Sequence, residues 1–324
     1  MNKNFEYELR SAKEAIVKEY REAAGIANTT AVGFCIYCST GSMLAPNLKI
    51  NQLISQSCIE GALKRQIKQK ATYCKDGKPI QLNGNLISRS ASCVNSEVSG
   101  YITHVTNKVL NCFNNLELKG GGSLHLSPKT FFKKVNNESG FNFSPSYGGG
   151  VGAGQLTGIA VKEMNILSSG KSGNGRYILD SILNSNKPEC SSLKEIIRGD
   201  KSNKLFLNRS DKSICEWVSI NRGLPRSLVY SLGFFTFLRE SLKKEIKRYA
   251  SNLKVDEDLL DSLTLVAYGP KGLSRAKALI RNNLRGSNNQ SAMKRIVNNE
   301  VYLRRTNKTL KEVKLKTGDS CNLI

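Results

Sequence analysis

Hydrophobic residues recur at helical spacing along most of the chain. Leu228, Leu232 and Phe235 belong to the strongest pattern, which runs from 226 to 249 and places its apolar side chains on one helix face. Shorter patterns of the same kind predict helices over residues 5–24, 47–75, 96–112, 127–138, 154–166, 256–268 and 273–284. The pattern therefore predicts a mainly α fold.

Three segments interrupt the helical pattern. Gly120–Ser123 is rich in glycine and predicts a domain boundary, while residues 168–212 are polar and predict a break between helices. From Gly286 onward the chain is basic, and Val313 and Leu315 alternate there as in a short strand. We expect an N-terminal helical, cysteine-containing lobe over 1–119, a second helical domain over 120–285 and a basic tail over 286–324. Residues 25–46 and 76–92 are predicted to be loops.

The chain is strongly basic. Its 324 residues include 49 Lys and Arg against 26 Asp and Glu, for a net charge of +23. A charge of this size indicates attraction to a polyanion, which leaves nucleic acid, an anionic membrane surface and the bacterial cell wall as candidates. No run of about twenty apolar residues occurs, so the sequence predicts no membrane-spanning helix.

The chain has nine cysteines but only two histidines, which limits the metal sites and disulfides that it can form. A single Cys-x-x-Cys, at Cys35 and Cys38, does not make a zinc site, so no metal is expected. Disulfides in an exported protein explain the spread best, and reduced cytosolic cysteines are the alternative. We expect Cys190 to bond Cys215, the six N-terminal cysteines to pair among themselves, and Cys321 to be left over. No apolar stretch follows Met1, so an exported protein would here be in its mature form.

Residues 127–157 form the most informative segment. Ser127 and Pro128 begin a helix that ends with Glu138 before Gly140, so one carboxyl group lies in the last helical turn. The backbone carbonyls at a helix end carry partial negative charge and favour the protonated form of a carboxyl group, which a general acid requires. Most glutamates at helix ends are nevertheless solvated surface residues.

A glycine-rich segment follows this helix. Five glycines crowd into positions 148–154, which lets the backbone approach a bulky ligand closely. Glycine clusters also form phosphate loops, but this one lacks the lysine of such a loop and does not follow a strand pattern. We interpret it as a loop of a substrate cleft.

Three motifs together resemble the lysozyme-like lytic transglycosylases. They are Glu138-Ser-Gly-Phe-Asn, the later Gly-Ala-Gly-Gln-Leu-Thr run that contains Gln155, and Ala267-Tyr268-Gly269-Pro-Lys-Gly. The third motif departs from the family in having Gly269 where the family usually has Asn. The resemblance covers roughly residues 120–285 and implies that this segment is a lysozyme-like catalytic domain.

The resemblance implies cleavage of the bond between N-acetylmuramic acid and N-acetylglucosamine, with Glu138 as general acid and base. Ser139, Gln155 and Tyr268 are candidate substrate-binding residues on the motifs, and Tyr147 is a candidate from its position in the glycine segment. After Glu138 the next carboxylate is Glu163, and the absence of a nearer partner favours a one-carboxylate transglycosylase mechanism over hydrolysis. Asp211, Glu216 and Asp261 are the residues that could fold back to serve as a second carboxylate.

The expected partner is the peptidoglycan glycan strand, acted on by an exported monomer without a cofactor. Two alternatives belong to other classes. The first is a nucleic-acid-binding protein, which the charge favours although no zinc finger or recognition helix is evident. The second is a wall-binding protein without catalytic activity, in which Glu138 is a surface residue.

Overall fold

The computed structural model describes the chain from residue 52 to 323 with several gaps. The described ranges are 52–66, 72–75, 78–81, 91–118, 122–123, 126–141, 146–147, 150–166, 170–202, 223–251, 253–284 and 290–323. Over these ranges the protein is mainly helical, as the periodicity predicts. The predicted helix over 5–24, the loop over 25–46 and the Cys35/Cys38 pair lie outside the described residues.

Eleven α-helices are present in the described part of the chain. They are α1 (Gln56–Gln66), α2 (Ala91–Asn114), α3 (Pro128–Glu138), α4 (Gly158–Met164), α5 (Arg176–Asn184), α6 (Ser191–Ser202), α7 (Gly223–Tyr249), α8 (Glu257–Tyr268), α9 (Gly272–Leu284), α10 (Gln290–Asn298) and α11 (Val301–Thr317). Short 3-10 turns precede α6 and follow α11, at Pro188–Cys190 and Gly318–Ser320.

Three small antiparallel hairpins complete the described structure. They pair β1 (Thr72–Lys75) with β2 (Lys78–Gln81), β3 (Glu117–Leu118) with β4 (Gly122–Ser123), and β5 (Ser146–Tyr147) with β6 (Gly150–Val151). In the last hairpin, Ser146 lies opposite Val151 and Tyr147 opposite Gly150. This hairpin carries the glycine-rich segment towards the end of α3.

Helix α7 is the centre of the packing. It contacts α2, α4, α5, α6, α8 and α9, and its buried apolar residues include Leu228, Leu232 and Phe235. Helix α11 packs against α1 and α3 on another side of the molecule. Leu63, Val135 and Val313, one from each predicted segment, belong to the same buried apolar cluster. All three segments thus contribute to one continuous core, and their boundaries stay a prediction.

Local signals fix the helix starts around the candidate site. The Ser127 hydroxyl accepts a hydrogen bond from the Thr130 amide, and Pro128 is the first residue of α3, as predicted. Asp256 caps α8 in the same way by accepting from the Leu259 amide at 3.1 Å. These caps explain why the predicted bounds of α3 and α8 agree with the structure within one residue.

Four predictions about secondary structure are wrong. The helix predicted over 47–75 comprises only α1 among its described residues and gives way to strand β1, and strand β2 lies in the loop predicted over 76–92. The polar segment 168–212 contains α5 and α6, whose apolar faces are too short to dominate its composition. Val313 and Leu315 lie in helix α11, where Val313 is buried and Leu315 exposed, so their alternation reflects two faces of a helix.

Two disulfides join distant parts of the described chain. Cys58 bonds Cys321, and Cys112 bonds Cys190. The predicted Cys190–Cys215 bond is therefore wrong, as are the pairing of all six N-terminal cysteines among themselves and the free Cys321. Sequence proximity misled these predictions, since the folded chain brings α2 to the 3-10 turn before α6 and the C-terminus to α1. Within the described ranges, no helix combines the length and apolar character that crossing a membrane demands.

Candidate active site

Glu138 is the last residue of α3, as predicted, and it is part-buried. Its Oε1 atom accepts a hydrogen bond from the Tyr302 hydroxyl of α11. On the same helix end, the Arg65 guanidinium donates to the Asn136 side-chain and backbone oxygens. A cation at this position offsets the partial negative charge of the carbonyls, so the electrostatics of the site depend on α1 and α11 as well as on α3.

Lys134 lies one helical turn before Glu138 and is fully buried. Its Nζ donates to the Gly154 carbonyl at 2.9 Å and to the Ser231 hydroxyl, and it lies 4.1 Å from the centre of the Tyr268 ring. Burial lowers the pKa of Lys134 to about 7, although the Glu138 carboxylate opposes that shift. The site therefore contains a lysine that exchanges its proton near neutral pH.

Tyr268 ends helix α8 and joins the same cluster. Its hydroxyl donates to the Gly154 carbonyl at 2.6 Å, and its ring packs near Phe234 and Phe235 at centroid distances of 5.9 and 6.0 Å. Burial and the Glu138 carboxylate raise the pKa values of both Tyr268 and Tyr302 well above the ordinary value. Both phenols therefore stay protonated and act as hydrogen-bond donors. We call Glu138, Lys134, Ser231, Tyr268 and Tyr302 the Glu138 cluster.

Ser139 joins the end of α3 to the glycine-rich segment. Its side chain is fully buried, and its hydroxyl donates to the Ala153 carbonyl at 2.7 Å and accepts from the Phe141 amide at 3.1 Å. Gly140 and Phe141 turn the chain with φ of +60° and +65°. Ser139 thus positions the backbone around Glu138, while its contact with substrate stays a prediction.

Residues 150–156, which we call the glycine turn, pack tightly against α7. A Cβ atom at Gly154 would lie 2.3 Å from Ser231 Cβ, so glycine is required there. Gln155 has φ of +49°, is 6% exposed, and its Nε2 donates to the Gly152 carbonyl at 3.0 Å. Helix α4 starts only at Gly158, with Thr157 as its cap, so the predicted start at 154 was too early.

The structure brings four of the predicted site residues together. Glu138, Ser139, Gln155 and Tyr268 all meet where the end of α3 contacts the glycine turn. For Tyr147 the structure describes the backbone, which lies in β5 opposite Gly150 in the hairpin that leads into the turn. Lys134, Ser231 and Tyr302 are the members of the Glu138 cluster that the sequence motifs did not identify.

The departure at Gly269 has a physical reason. A Cβ atom at this position would lie 2.7 Å from Cγ and 3.0 Å from Cβ of Tyr302. These atoms are close to the backbone of α11 and have little freedom to move. Glycine at 269 therefore makes room for the tyrosine that binds Glu138.

The other carboxylates near the site have different partners. Asp261 is buried, accepts from the Thr130 hydroxyl at 2.8 Å and pairs with Arg239 at 3.1 Å. Glu163 accepts hydrogen bonds from the backbone and side chain of Asn174. Asp211 and Glu216 lie outside the described residues. In the described ranges no group of three or more His, Cys, Asp or Glu is arranged to hold a metal ion.

Comparisons with known proteins give no relative. No protein-family model, no curated protein and no solved structure matches the chain. The chemistry of the site therefore rests on its own geometry: one carboxylate with a phenol donor, beside a buried lysine and a tight glycine turn. Such an arrangement is suited to proton transfer, because the hydrogen-bond donor to the carboxylate among its described contacts is a neutral phenol.

Proposed function

We propose that the protein cleaves the β-1,4 bond between N-acetylmuramic acid and N-acetylglucosamine in peptidoglycan, with Glu138 as general acid and base. The observation that carries this proposal is the hydrogen bond from Tyr302 to Glu138 beside the glycine turn. Among the described residues, Glu138 has no ion-pair partner, which distinguishes it from the buried Asp261. The motif resemblance supports the same assignment.

In the proposed reaction, protonated Glu138 first donates its proton to the glycosidic oxygen. The bond to the muramyl anomeric carbon then breaks, and the ionised carboxylate accepts the proton of the attacking hydroxyl. The Tyr302 hydroxyl stabilises the ionised carboxylate between these steps, because it donates to Oε1 and leaves Oε2 for the substrate. Ser139, Tyr147, Gln155 and Tyr268 are proposed to orient the sugars or the backbone around them.

A lytic transglycosylase mechanism is the form of the reaction that the site favours. Hydrolysis with two carboxylates needs the second group across the scissile bond from the first. The Arg239 ion pair and the Thr130 hydrogen bond occupy Asp261. Among the described residues this leaves Glu138 as the one carboxylate of the site without an ion pair, and with it alone the muramyl C6 hydroxyl serves as the attacking group and the product is a 1,6-anhydro sugar.

The two disulfides support an oxidising location. Such bonds persist mainly outside the cytoplasm, where a cell-wall enzyme would meet its substrate. Export to the periplasm or beyond is part of the proposal.

The substitution Glu138→Gln tests the assignment. It keeps an oxygen that accepts from Tyr302 but cannot exchange a proton, so clearing of a sacculus suspension should slow by about 10²–10⁴. Glu163→Gln is the matched control on the next helix and should leave the rate within about twofold. A Glu138→Gln variant that clears sacculi at the wild-type rate would overturn the proposal. If neither variant nor the wild type clears sacculi but all bind them, the protein is a wall-binding protein without this activity.

A further inference from the structure

Helix α11 has two faces of opposite character. Its buried face includes Leu303, Thr306, Leu310 and Val313 and packs against α1 and α3. Its exposed face holds six cations, one or two in every turn: Arg304, Arg305, Lys308, Lys311, Lys314 and Lys316. Arg304, Lys308 and Lys311 follow one another at spacings of four and three residues, so they form a line along the middle of that face.

None of these six cations has an ion pair or a hydrogen bond from its side chain among the described residues. Other cations of the described chain, both buried and partly exposed, are paired: Arg239 with Asp261, Arg275 with Glu300, and Lys294 with Asp256. Glu312 is the one acidic residue within the 17 residues of α11. The positive charge of this face is therefore not neutralised by the protein itself.

Like charges three and four residues apart destabilise a helix. A solvated surface helix normally mixes both signs along its exposed face. An arrangement of six cations with one acid therefore destabilises the helix, and an anionic partner bound to it would remove that repulsion. This favours a docking surface over a merely solvated face.

Helix α11 begins beside the candidate active site. The first turn of the helix carries Tyr302, whose hydroxyl donates to Glu138, and Arg304 and Arg305 follow within three residues. A polymer bound along the exposed face would therefore approach the molecule beside the site.

We propose that the exposed face of α11 is an electrostatic docking surface for peptidoglycan strands, whose stem peptides carry carboxylates. The proposal rests on the glycan-cleaving function above. Four of the six cations are lysines, which act as point charges without the planar geometry of arginine and suit anions on flexible peptides. The exposed residues of this face other than the cations are Val301 and Leu315, so the face offers no aromatic ring on which a base would stack.

The test neutralises three lysines of α11 in one variant, Lys308→Gln/Lys311→Gln/Lys314→Gln. The matched control neutralises three exposed lysines elsewhere, Lys187→Gln/Lys244→Gln/Lys247→Gln. Both are made in the Glu138→Gln background, and binding to purified sacculi is measured by co-sedimentation across a salt series. Three exposed charge contacts predict a loss of roughly tenfold in affinity for the α11 variant. The affinity of this variant should also depend less steeply on salt. The affinity of the control should change by less than about twofold.

Turnover of a short soluble glycan is measured separately with Glu138 intact, and the α11 substitutions should leave it within twofold. An equal loss of sacculus binding in both triple variants would overturn the proposal, because net charge alone would then explain attachment. Salt-sensitive retention on duplex DNA that the α11 variant loses, without binding to sacculi, would overturn it in favour of nucleic acid. Sacculus binding without glycan cleavage by the wild type would contradict the enzymatic function while leaving the docking surface intact.

Discussion

The two halves of helix α3 place carboxylates in opposite electrostatic settings. Near its start, Thr130 donates to Asp261, which also pairs with the permanent cation Arg239. At its end, about 12 Å further along the axis, Glu138 accepts from the neutral phenol of Tyr302. Burial raises the pKa of Asp261, and attraction to Arg239 opposes the shift. Burial alone therefore does not identify a catalytic carboxylate, since Asp261 is buried but holds a permanent ion pair that stabilises the fold.

The substitution Asp261→Asn should have the largest effect on stability. It removes the buried one of the two carboxylates that pair with the buried Arg239, Glu257 being the other, and breaking a buried ion pair costs up to about 3–5 kcal/mol. Denaturant unfolding measures this loss. Glycan cleavage per folded molecule should stay within about twofold.

Asp258→Asn is the matched control on the same helix, because Asp258 is exposed and its loss should cost less than about 1 kcal/mol. If Asp261→Asn abolishes cleavage in folded protein at unchanged stability, the two carboxylates have been assigned the wrong way round.

The substitution Gly269→Ala should displace Tyr302 from Glu138. The added methyl group overlaps atoms close to the α11 backbone, and overpacking of this kind costs about 1–3 kcal/mol. The unfolding temperature and the cleavage rate should both decrease. The control Gly199→Ala adds a Cβ that meets no atom within 4 Å, and it should lower neither the unfolding temperature nor the cleavage rate. Unchanged cleavage in Gly269→Ala would show that the position of Tyr302 does not matter for Glu138.

The substitution Lys134→Met should change how stability depends on pH. The pKa of Lys134 is about 7 in the fold and 10.5 without burial, so between these values the unfolded chain binds more protons. Stability from this residue therefore rises with pH across that window, by at most about 1.4 kcal/mol per pH unit. The charged and titratable groups that face it are Glu138 on its own helix and Tyr268 on α8.

Unfolding free energies of the wild type and Lys134→Met at pH 7, 8 and 9 measure the effect. The wild type should gain stability relative to the variant over this range, whereas Lys129→Met, an exposed change on the same helix, should track the wild type. A constant difference between wild type and Lys134→Met would contradict the buried, titrating lysine.

The substitution Tyr302→Phe should have the smallest effect. It removes one hydrogen bond to a carboxylate that is only part-buried, so water can replace the lost donor; this corresponds to about 1 kcal/mol, or roughly fivefold in the cleavage rate. Tyr177→Phe, at an exposed tyrosine of α5, is the control. No change in rate would mean that Tyr302 packs against the site without stabilising its charge.

Local features of the site could be predicted from the sequence, because neighbours along the chain determine them. Ser127 and Pro128 start α3 and Gly140 stops it, so Glu138 lies at the end of the helix. The Tyr302 contact could not be predicted, since it joins residues 164 positions apart and lies on a helix in the segment that was predicted to be a basic tail. The burial of Lys134 could not be predicted either, because lysine is normally exposed and its partners lie on the glycine turn, α7 and α8.

The cysteine pairing shows the same limit. A set of nine cysteines permits many pairings, and closeness in sequence favoured Cys190 with Cys215. The packing of α2 and α11 against other elements instead brings together Cys112 with Cys190 and Cys58 with Cys321. Helix periodicity determines which elements form, while contacts between distant elements determine what surrounds Glu138.

Mass spectrometry of material released from intact sacculi tests whether Glu138 transfers the proton in glycan cleavage. The wild type should release soluble muropeptides whose terminal sugar is lighter by one water than the reducing form, and Glu138→Gln should release none above background. Release of the same anhydro products by Glu138→Gln and by wild type at equal rates would contradict the claim.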